Sequence, residues 1–534
     1  MRVIFMNDQR DPFLHEFGRS ERSAYRLMLA MAAAYAVLFS LASALKFWWF
    51  GQGHDLALHH QAIWNTLHGR VFEVTGFVRP ARLFGYDPYL IELLVVPIYA
   101  LLPSVHTLFV LQSLALAAGA PALWHIARHE GLPPAIALLV ALLYLAYPTV
   151  QYTNLDAFRE RSFGLCFFLW AMWAFRREAW RPFMVFLVLL IICRLEAALF
   201  ASMFGLAALL HRRAWRFVVV PLLLGLGYFF VGNFLFVPLV NQGEPVSYVY
   251  DYFQPLGSSM GEVVRTSLTR PFYTFSVTFT WSKVLYLLLL LLPLAGLPLL
   301  APRELVFLMP LLAINLLATK PQLADVRYWY STLLVGPLLV ATVVALRILL
   351  LERAATRKHP QRIVGLLLAG MLAAQLFPRN PVISLLLHHE PPARVAAARS
   401  LIAHIPADAR VAATSRLAPH LLRRYLYYYP LADTAVLPTL DYIAVDTTSD
   451  WMHDPQSRAR FEAMRQSAQW QRVYHAAGFH LYQRLHHSEL QQTIPEECGE
   501  LMHRMWRYCE DPACRGRWGI GGEACGAQNL HLSR

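Results

Sequence analysis

Asp55 falls in the run Gly53-His54-Asp55-Leu56-Ala57-Leu58-His59-His60-Gln61, a few positions past the first long apolar segment, Leu27 to Leu45. An acid and several histidines at that point form a candidate reaction or binding site at a bilayer interface. Other charges recur at the ends of later apolar segments: Asp156 with Arg159 and Glu160, Arg194 with Glu196, and Arg327. A carboxylate within hydrogen-bond reach can take a proton from an attacking hydroxyl. A guanidinium can grip a phosphate with two parallel bonds. The ordinary alternatives are a helix cap for Asp55, before a helix starting at Leu56, and surface ion pairs for the Asp156–Arg159–Glu160 group.

The elements that must position these groups are membrane helices. The chain has 534 residues, 57% hydrophobic and 15% charged, with a mean hydropathy of +0.40. Soluble domains average about 45–50% apolar and about 25% charged. Apolar runs long enough to cross roughly 30 Å of hydrocarbon recur through residues 27–378. Continuous runs, not alternating strands, exclude a transmembrane barrel. The net charge of +13 does not indicate nucleic acid. Much of the excess lies in short Arg clusters between apolar segments, as the positive-inside bias produces.

The pattern predicts eleven spans, at about 27–47, 106–127, 134–150, 160–176, 182–193, 197–210, 216–240, 283–300, 304–319, 330–351 and 362–378. The pair 182–193 and 197–210 reads as a hairpin broken at Arg194-Leu195-Glu196, because one long helix would put both charges at the bilayer centre, at a cost of about 2.5–3.5 kcal/mol each. With the N-terminus inside, the Arg clusters at 176–181, 212–216 and 353–362 are cytoplasmic. Segments 51–105, 151–159, 194–196, 241–282, 320–329 and the tail are then outside. No cleaved signal peptide is expected, since the first 26 residues are polar. Residues 88–103, with Pro88, Glu92, Pro97 and Pro103, read as an interfacial or re-entrant helix. His54 to Arg70 reads as an amphipathic surface helix.

Four regions follow. Residues 1–26 are a cytoplasmic segment and 27–378 a transmembrane domain with outward juxtamembrane helices at 51–105. Residues 379–485 are an outward soluble α/β domain, read as a cap, with strands at Arg410–Ser415, Tyr425–Tyr429 and Tyr442–Asp446, a helix around Pro455–Gln469, and a closing hairpin. Residues 486–534 are a helical tail carrying Cys498, Cys509, Cys514 and Cys525. Their symmetric spacing suits Cys498–Cys525 and Cys509–Cys514 disulfides in an oxidising compartment better than zinc. Cys166 and Cys193 lie in apolar runs and pack as small hydrophobes.

The stretch Asp55 to Arg70, then Pro97-Ile98-Tyr99-Ala100-Leu101-Leu102-Pro103, then Leu108 to Ser113 with Gln112, resembles an uncharacterised prokaryotic membrane family, domain of unknown function 2079. Asp156 to Glu160, Cys193 to Leu199 and Tyr328 to Pro337 extend the resemblance over about residues 45–480. Where that family shows Asp-Phe-His-Pro-Glu, this chain has Asp156-Ala157-Phe158-Arg159-Glu160. Where it shows Lys-Glu-Asp, this chain has Arg194-Leu195-Glu196. Gly85-Tyr86-Asp87-Pro88 lacks the histidine usual there.

The layout is in turn similar to the GT-C membrane glycosyltransferases, an architectural analogy. It implies a donor sugar on a lipid phosphate, with Asp55 as catalytic base. Arg159, Arg194 and Arg327 would hold the departing phosphate, and Asp156, Glu160 and Glu196 would orient them or bind the sugar. The implied protein is an inverting, polyprenyl-phosphate-sugar-dependent transferase of a bacterial inner membrane, with membrane lipid and the lipid-linked sugar as partners. The alternative is a non-catalytic protein that binds or translocates a lipid-linked substrate or assists envelope assembly. No metal site and no cofactor is assigned. His54, His59, His60 and His68 are metal-capable, but adjacent His59 and His60 point apart on a helix.

Overall fold

The computed structural model describes residues 21–75, 81–241, 252–353, 356, 359–377, 379–423, 425–429 and 436–485. The tail carrying Cys498, Cys509, Cys514 and Cys525, with its expected disulfides, lies outside the described residues. So does the N-terminal segment up to residue 20.

Among the described residues, five helices are long and apolar enough to cross a membrane, or seven if each of two bent pairs counts as one span. The first is α1 (Glu21–Trp48). It is followed by two shorter helices, α2 (His54–Leu67) and α3 (Glu92–Leu101), with a two-stranded ribbon of β1 (Glu73–Val74) and β2 (Ala81–Arg82) between them. Next come α4 (Val105–Ala117) and α5 (Gly119–His129), which together form one spanning unit. The pair α6 (Pro134–Leu145) and α7 (Pro148–Leu155) is bent by 44° where Pro148 opens the second helix. Then follow α8 (Glu160–Arg176), α9 (Trp180–Ile191), α10 (Leu195–Leu210) and α11 (Trp215–Val231).

The 182–193 and 197–210 segments are two short helices, and the chain breaks between them with Arg194 extended at φ −168°. The stretch expected as spans at 283–300 and 304–319 is instead fragmented. A helix Trp281–Leu291 gives way to 3-10 turns and then to Met309–Leu317. Pro293, Pro298, Pro302 and Pro310 remove the donors that one long helix would need.

The helix α12 (Thr332–Arg347) is the centre of the bundle. In the spanning unit around it, Trp329–Glu352, 89% of the apolar window is buried, against 17% for Trp215–Val240. The latter exposes Leu223, Phe230, Phe234 and Leu239, the surface a lipid-facing helix presents. Small residues set the closest packing. A Cβ on Gly225 of α11 would lie 2.5 Å from the Ala198 carbonyl of α10, and one on Gly205 of α10 would collide with Val218 O of α11.

After the apolar helices Pro360–Leu376 and Pro381–Leu387, the chain builds a five-stranded sheet in the order β4-β3-β5-β7-β6. The strands are β3 (Val411–Ala413), β4 (Leu426–Tyr428), β5 (Tyr442–Asp446), β6 (Trp470–Ala476) and β7 (Phe479–Arg484). β3 is parallel to both β4 and β5, and β7 closes an antiparallel hairpin with β6. One layer of helix, Pro392–Ala403, covers one side, and Pro455–Gln466 packs Phe461 and Met464 on the other.

This sheet region sits on α2. Thr75 Oγ1 donates to Leu426 O and accepts from Leu426 N, both at 2.8 Å. Gln61 donates to Arg423 O at 2.9 Å. The His420 ring stacks against Phe47 and Phe50, with centroids 4.0 and 3.9 Å away.

Candidate functional site

The site is built around the loop between α7 and α8, whose backbone is held by side chains of two other helices. From α4, Gln112 donates to the carbonyls of Thr153, Asn154 and Ala157 at 3.1–3.2 Å and accepts the Arg159 N–H at 2.6 Å. From α1, Ser43 donates to Asn154 O at 3.0 Å and Lys46 to Leu155 O at 2.7 Å. A buried loop leaves backbone groups that need partners, and here polar residues inside apolar helices supply them.

Arg159, fixed in this way, reaches Asp55. Its Nη2 donates to Asp55 Oδ2 at 2.6 Å, and its Nε donates to Asp156 at 3.0 Å. His54 Nε2 lies 3.1 Å from Asp55 Oδ1. Burial works to raise the Asp55 pKa, but Arg159 and His54 more than offset it and hold the carboxyl well below the usual range. The capping alternative does not hold. The helix starts at His54 with Gly53 as its cap, Ser415 Oγ accepts the His54 N–H at 3.1 Å, and the Asp55 carboxylate turns to Arg159.

A second layer lies deeper. Arg194 contacts Glu160 at 2.9 Å, Asp87 at 3.2 Å and Glu196 at 3.8 Å. Arg161, almost fully buried, pairs with Glu196 and lies 3.4 Å from Glu160. Asp87 also accepts the first N–H of α10, Leu195 N, at 3.0 Å. Burial pushes its carboxyl up to about 7, with Arg194 opposing.

Both layers share one indole. The guanidinium carbons of Arg159, Arg161 and Arg194 lie 4.5, 3.9 and 5.4 Å from the Trp329 ring. Tryptophan is the best aromatic partner for a cation.

Arg327 stands apart from this group. It is exposed and closes a bidentate pair with Asp325. It does, however, line a cleft of about 300 Å³ that Lys46, Asp156, His389 and Arg416 also border. Thus Asp156 joins the cleft to the Asp55–Arg159 pair. At the other end of α8, roughly 25 Å away by helix rise, Arg176, Glu130, Glu304 and Arg347 border a separate cavity of about 590 Å³.

Gln112, Asp87, Glu92, Arg161 and Trp329 belong to the site although residue order alone assigns them no role there. Gln112 stands inside a quoted motif, and Asp87 marks a departure from one. Glu92 is an acid inside an apolar helix, a signal of function in its own right. Trp329 stands inside the Tyr328 to Pro337 stretch that carries the resemblance. His59 and His60 do point apart, His59 Nδ1 to Glu92 at 2.6 Å and His60 Nε2 to Tyr99 at 2.8 Å. Among the described residues, His59, Glu92 and Glu160 form a group able to hold a metal, with ligand atoms all within 4.8 Å of one another.

Apolar helices packed round a central buried one, with a charged site in the segments that join them, define a polytopic helical membrane protein. The chain belongs to the family described as "Predicted membrane protein (DUF2079)", whose profile matches residues 46–481. No curated protein matches it. Among solved structures it is similar, at 10% identity, to the crystal structure of the Archaeoglobus fulgidus oligosaccharyltransferase tethered with an acceptor peptide containing the NVT sequon. That likeness covers 85% of this chain and 74% of the other, with a TM-score of 0.44. A likeness of that size fixes neither fold nor activity.

Proposed function

We propose that this chain is a GT-C-like glycosyltransferase that takes a sugar from a lipid-phosphate donor at the outer face of the membrane. The observation that carries the reading is the Asp55–Arg159 contact at 2.6 Å, joined through Asp156 to a cleft lined by Lys46, Arg327 and Arg416. A phosphate monoester or diester in that cleft meets three cationic side chains. An acceptor hydroxyl attacking the anomeric carbon passes its proton to Asp55 while the phosphate leaves with the bond electrons. Arg159 keeps Asp55 ionised and so lowers its basicity. The proton therefore moves late, once the attacking oxygen is already bonding to carbon and has become acidic.

The reading includes the eleven-span scheme with the N-terminus cytoplasmic, the sheet domain outside in the periplasm, and the membrane being a bacterial inner membrane. The bend at α6–α7 and the short α9 and α10 are compatible with it as broken or short crossings. One observation favours the non-catalytic reading, in which the protein only binds or moves a lipid-linked substrate: both Asp55 oxygens already have partners, His54 and Arg159. The experiment is transfer or hydrolysis of radiolabelled polyprenyl-phosphate sugars by the purified chain in nanodiscs, with lipid-linked sugars profiled in a deletion strain. Binding of the donor with no turnover and no change in envelope glycans would leave only the second reading.

A further inference from the structure

We propose that His59, Glu92 and Glu160 form a binding site for one divalent cation. The three residues come from α2, α3 and the start of α8, and their ligand atoms lie within 4.8 Å of one another. They are 3%, 0% and 0% exposed. Metal–oxygen and metal–imidazole bonds of about 2.0–2.2 Å hold ligand atoms up to about 4.4 Å apart, so small side-chain movements close the set around an ion.

The first independent sign is a pair of orphaned oxygens. Glu92 Oε2 and Glu160 Oε2 are both buried and have no hydrogen-bond partner. Leaving one buried carboxylate oxygen without a partner is costly, and here two are left in one place. The other oxygen of each is used. Glu92 Oε1 meets His59 Nδ1 at 2.6 Å, and Glu160 Oε1 accepts from Arg194 at 2.9 Å. Arg194 therefore orients Glu160 as an outer partner orients a metal ligand.

The second sign is charge. The deep layer holds four carboxylates, Asp87, Glu92, Glu160 and Glu196, against two guanidinium groups, Arg161 and Arg194. Buried charges need to be matched. A cation bound among these carboxylates adds positive charge beside that of the two guanidinium groups. One imidazole and two carboxylates suit Mn²⁺, Fe²⁺ or Zn²⁺, with water completing the shell.

His59 is one helical turn from Asp55, and Glu160 follows Arg159. An ion here would brace the segments that carry the Asp55–Arg159 pair, whatever the reaction at that pair. The site does not depend on the proposed transfer activity.

The test uses full-length, untagged protein in phosphatidylcholine nanodiscs, stripped with EDTA and titrated with Mn²⁺ under electron paramagnetic resonance. Mn²⁺ is the probe because it prefers oxygen and imidazole to the thiolates of the tail cysteines. The expected result is one bound Mn²⁺ per chain with nitrogen coupling from a single imidazole. That coupling disappears in His59→Gln, and Glu92→Gln weakens binding by about tenfold or more. No binding by the wild type at millimolar Mn²⁺, or bound Mn²⁺ without nitrogen coupling, would overturn the proposal. So would nitrogen coupling that survives His59→Gln. The wild-type titration decides the matter even if the variants do not fold.

Discussion

Gln112 accepts the backbone N–H of Arg159 at 2.6 Å while donating to the carbonyls of Thr153 and Asn154 at the end of α7 and of Ala157 in the loop. One side-chain amide inside an apolar helix thus sets where the guanidinium that meets Asp55 begins. Gln112→Leu keeps the volume and removes all four bonds. The Arg159 N–H then stays buried without its acceptor, at a cost of about 1–3 kcal/mol. The expected outcome is a lower melting temperature and loss of donor binding, with membrane insertion intact. Unchanged donor affinity would show that Gln112 does not position Arg159.

Asp55→Asn separates catalysis from recognition. Capping is no longer a competing explanation, because Gly53 holds that position, Ser415 takes the His54 N–H and the Asp55 carboxylate is on Arg159. A lost general base lowers turnover by about 10²–10⁴-fold with donor affinity kept. A head-group contact shows the reverse pattern, weaker binding with no turnover to lose. Arg159→Lys should damage binding in either case. Lysine keeps the charge but cannot span Asp55 and Asp156 as the planar fork does.

Gly225 and Gly227 lie two residues apart on α11 and should behave oppositely. A Cβ at Gly225 would stand 2.5 Å from Ala198 O, while one at Gly227 meets nothing within 4 Å. Gly225→Leu should cost about 1–3 kcal/mol or more by forcing α10 and α11 apart. Gly227→Leu should be silent. Thermal unfolding in detergent reads both, and equal effects would contradict the packing described here.

Acid should loosen the sheet domain. Burial against Phe47 and Phe50 pushes the His420 imidazole down to about 3 from its ordinary 6.5. The undocked domain therefore binds the proton first. Docking is at full strength above about pH 6.5 and weakens as pH falls toward about 3, by up to about 1.4 kcal/mol per unit. Protease sensitivity of the domain should rise between pH 7 and pH 5 in the wild type and stay flat in His420→Phe. A flat wild-type profile would place the ring outside the interface.

Much of this was legible in residue order, and the rest was not for a consistent reason. The membrane class, the break at Arg194 and the strands near 411, 426 and 442 follow from local period and charge. The charged runs Asp156 to Glu160 and Arg194 to Glu196 could be read as important. Which acid meets which cation could not, because those pairs form between segments far apart in the chain: Asp55 with Arg159, Asp87 with Arg194, Glu92 with His59. Arg161 reads locally as the first turn of a span, and only packing shows it buried on Trp329. The stretch 283–319 is broken by 3-10 turns, which its apolar length did not announce, because closely spaced prolines interrupt it.

The indole shared by three arginines has a consequence for assembly. Arg159, Arg161 and Arg194 leave the ribosome well before Trp329, and the central helix that follows it comes later still. Until then the three cations lack their common aromatic wall and the bundle lacks its axis. The charged layer is therefore finished late in synthesis. A chain truncated before residue 329 would lack the aromatic wall that Arg159, Arg161 and Arg194 share and would present an open cluster of charges.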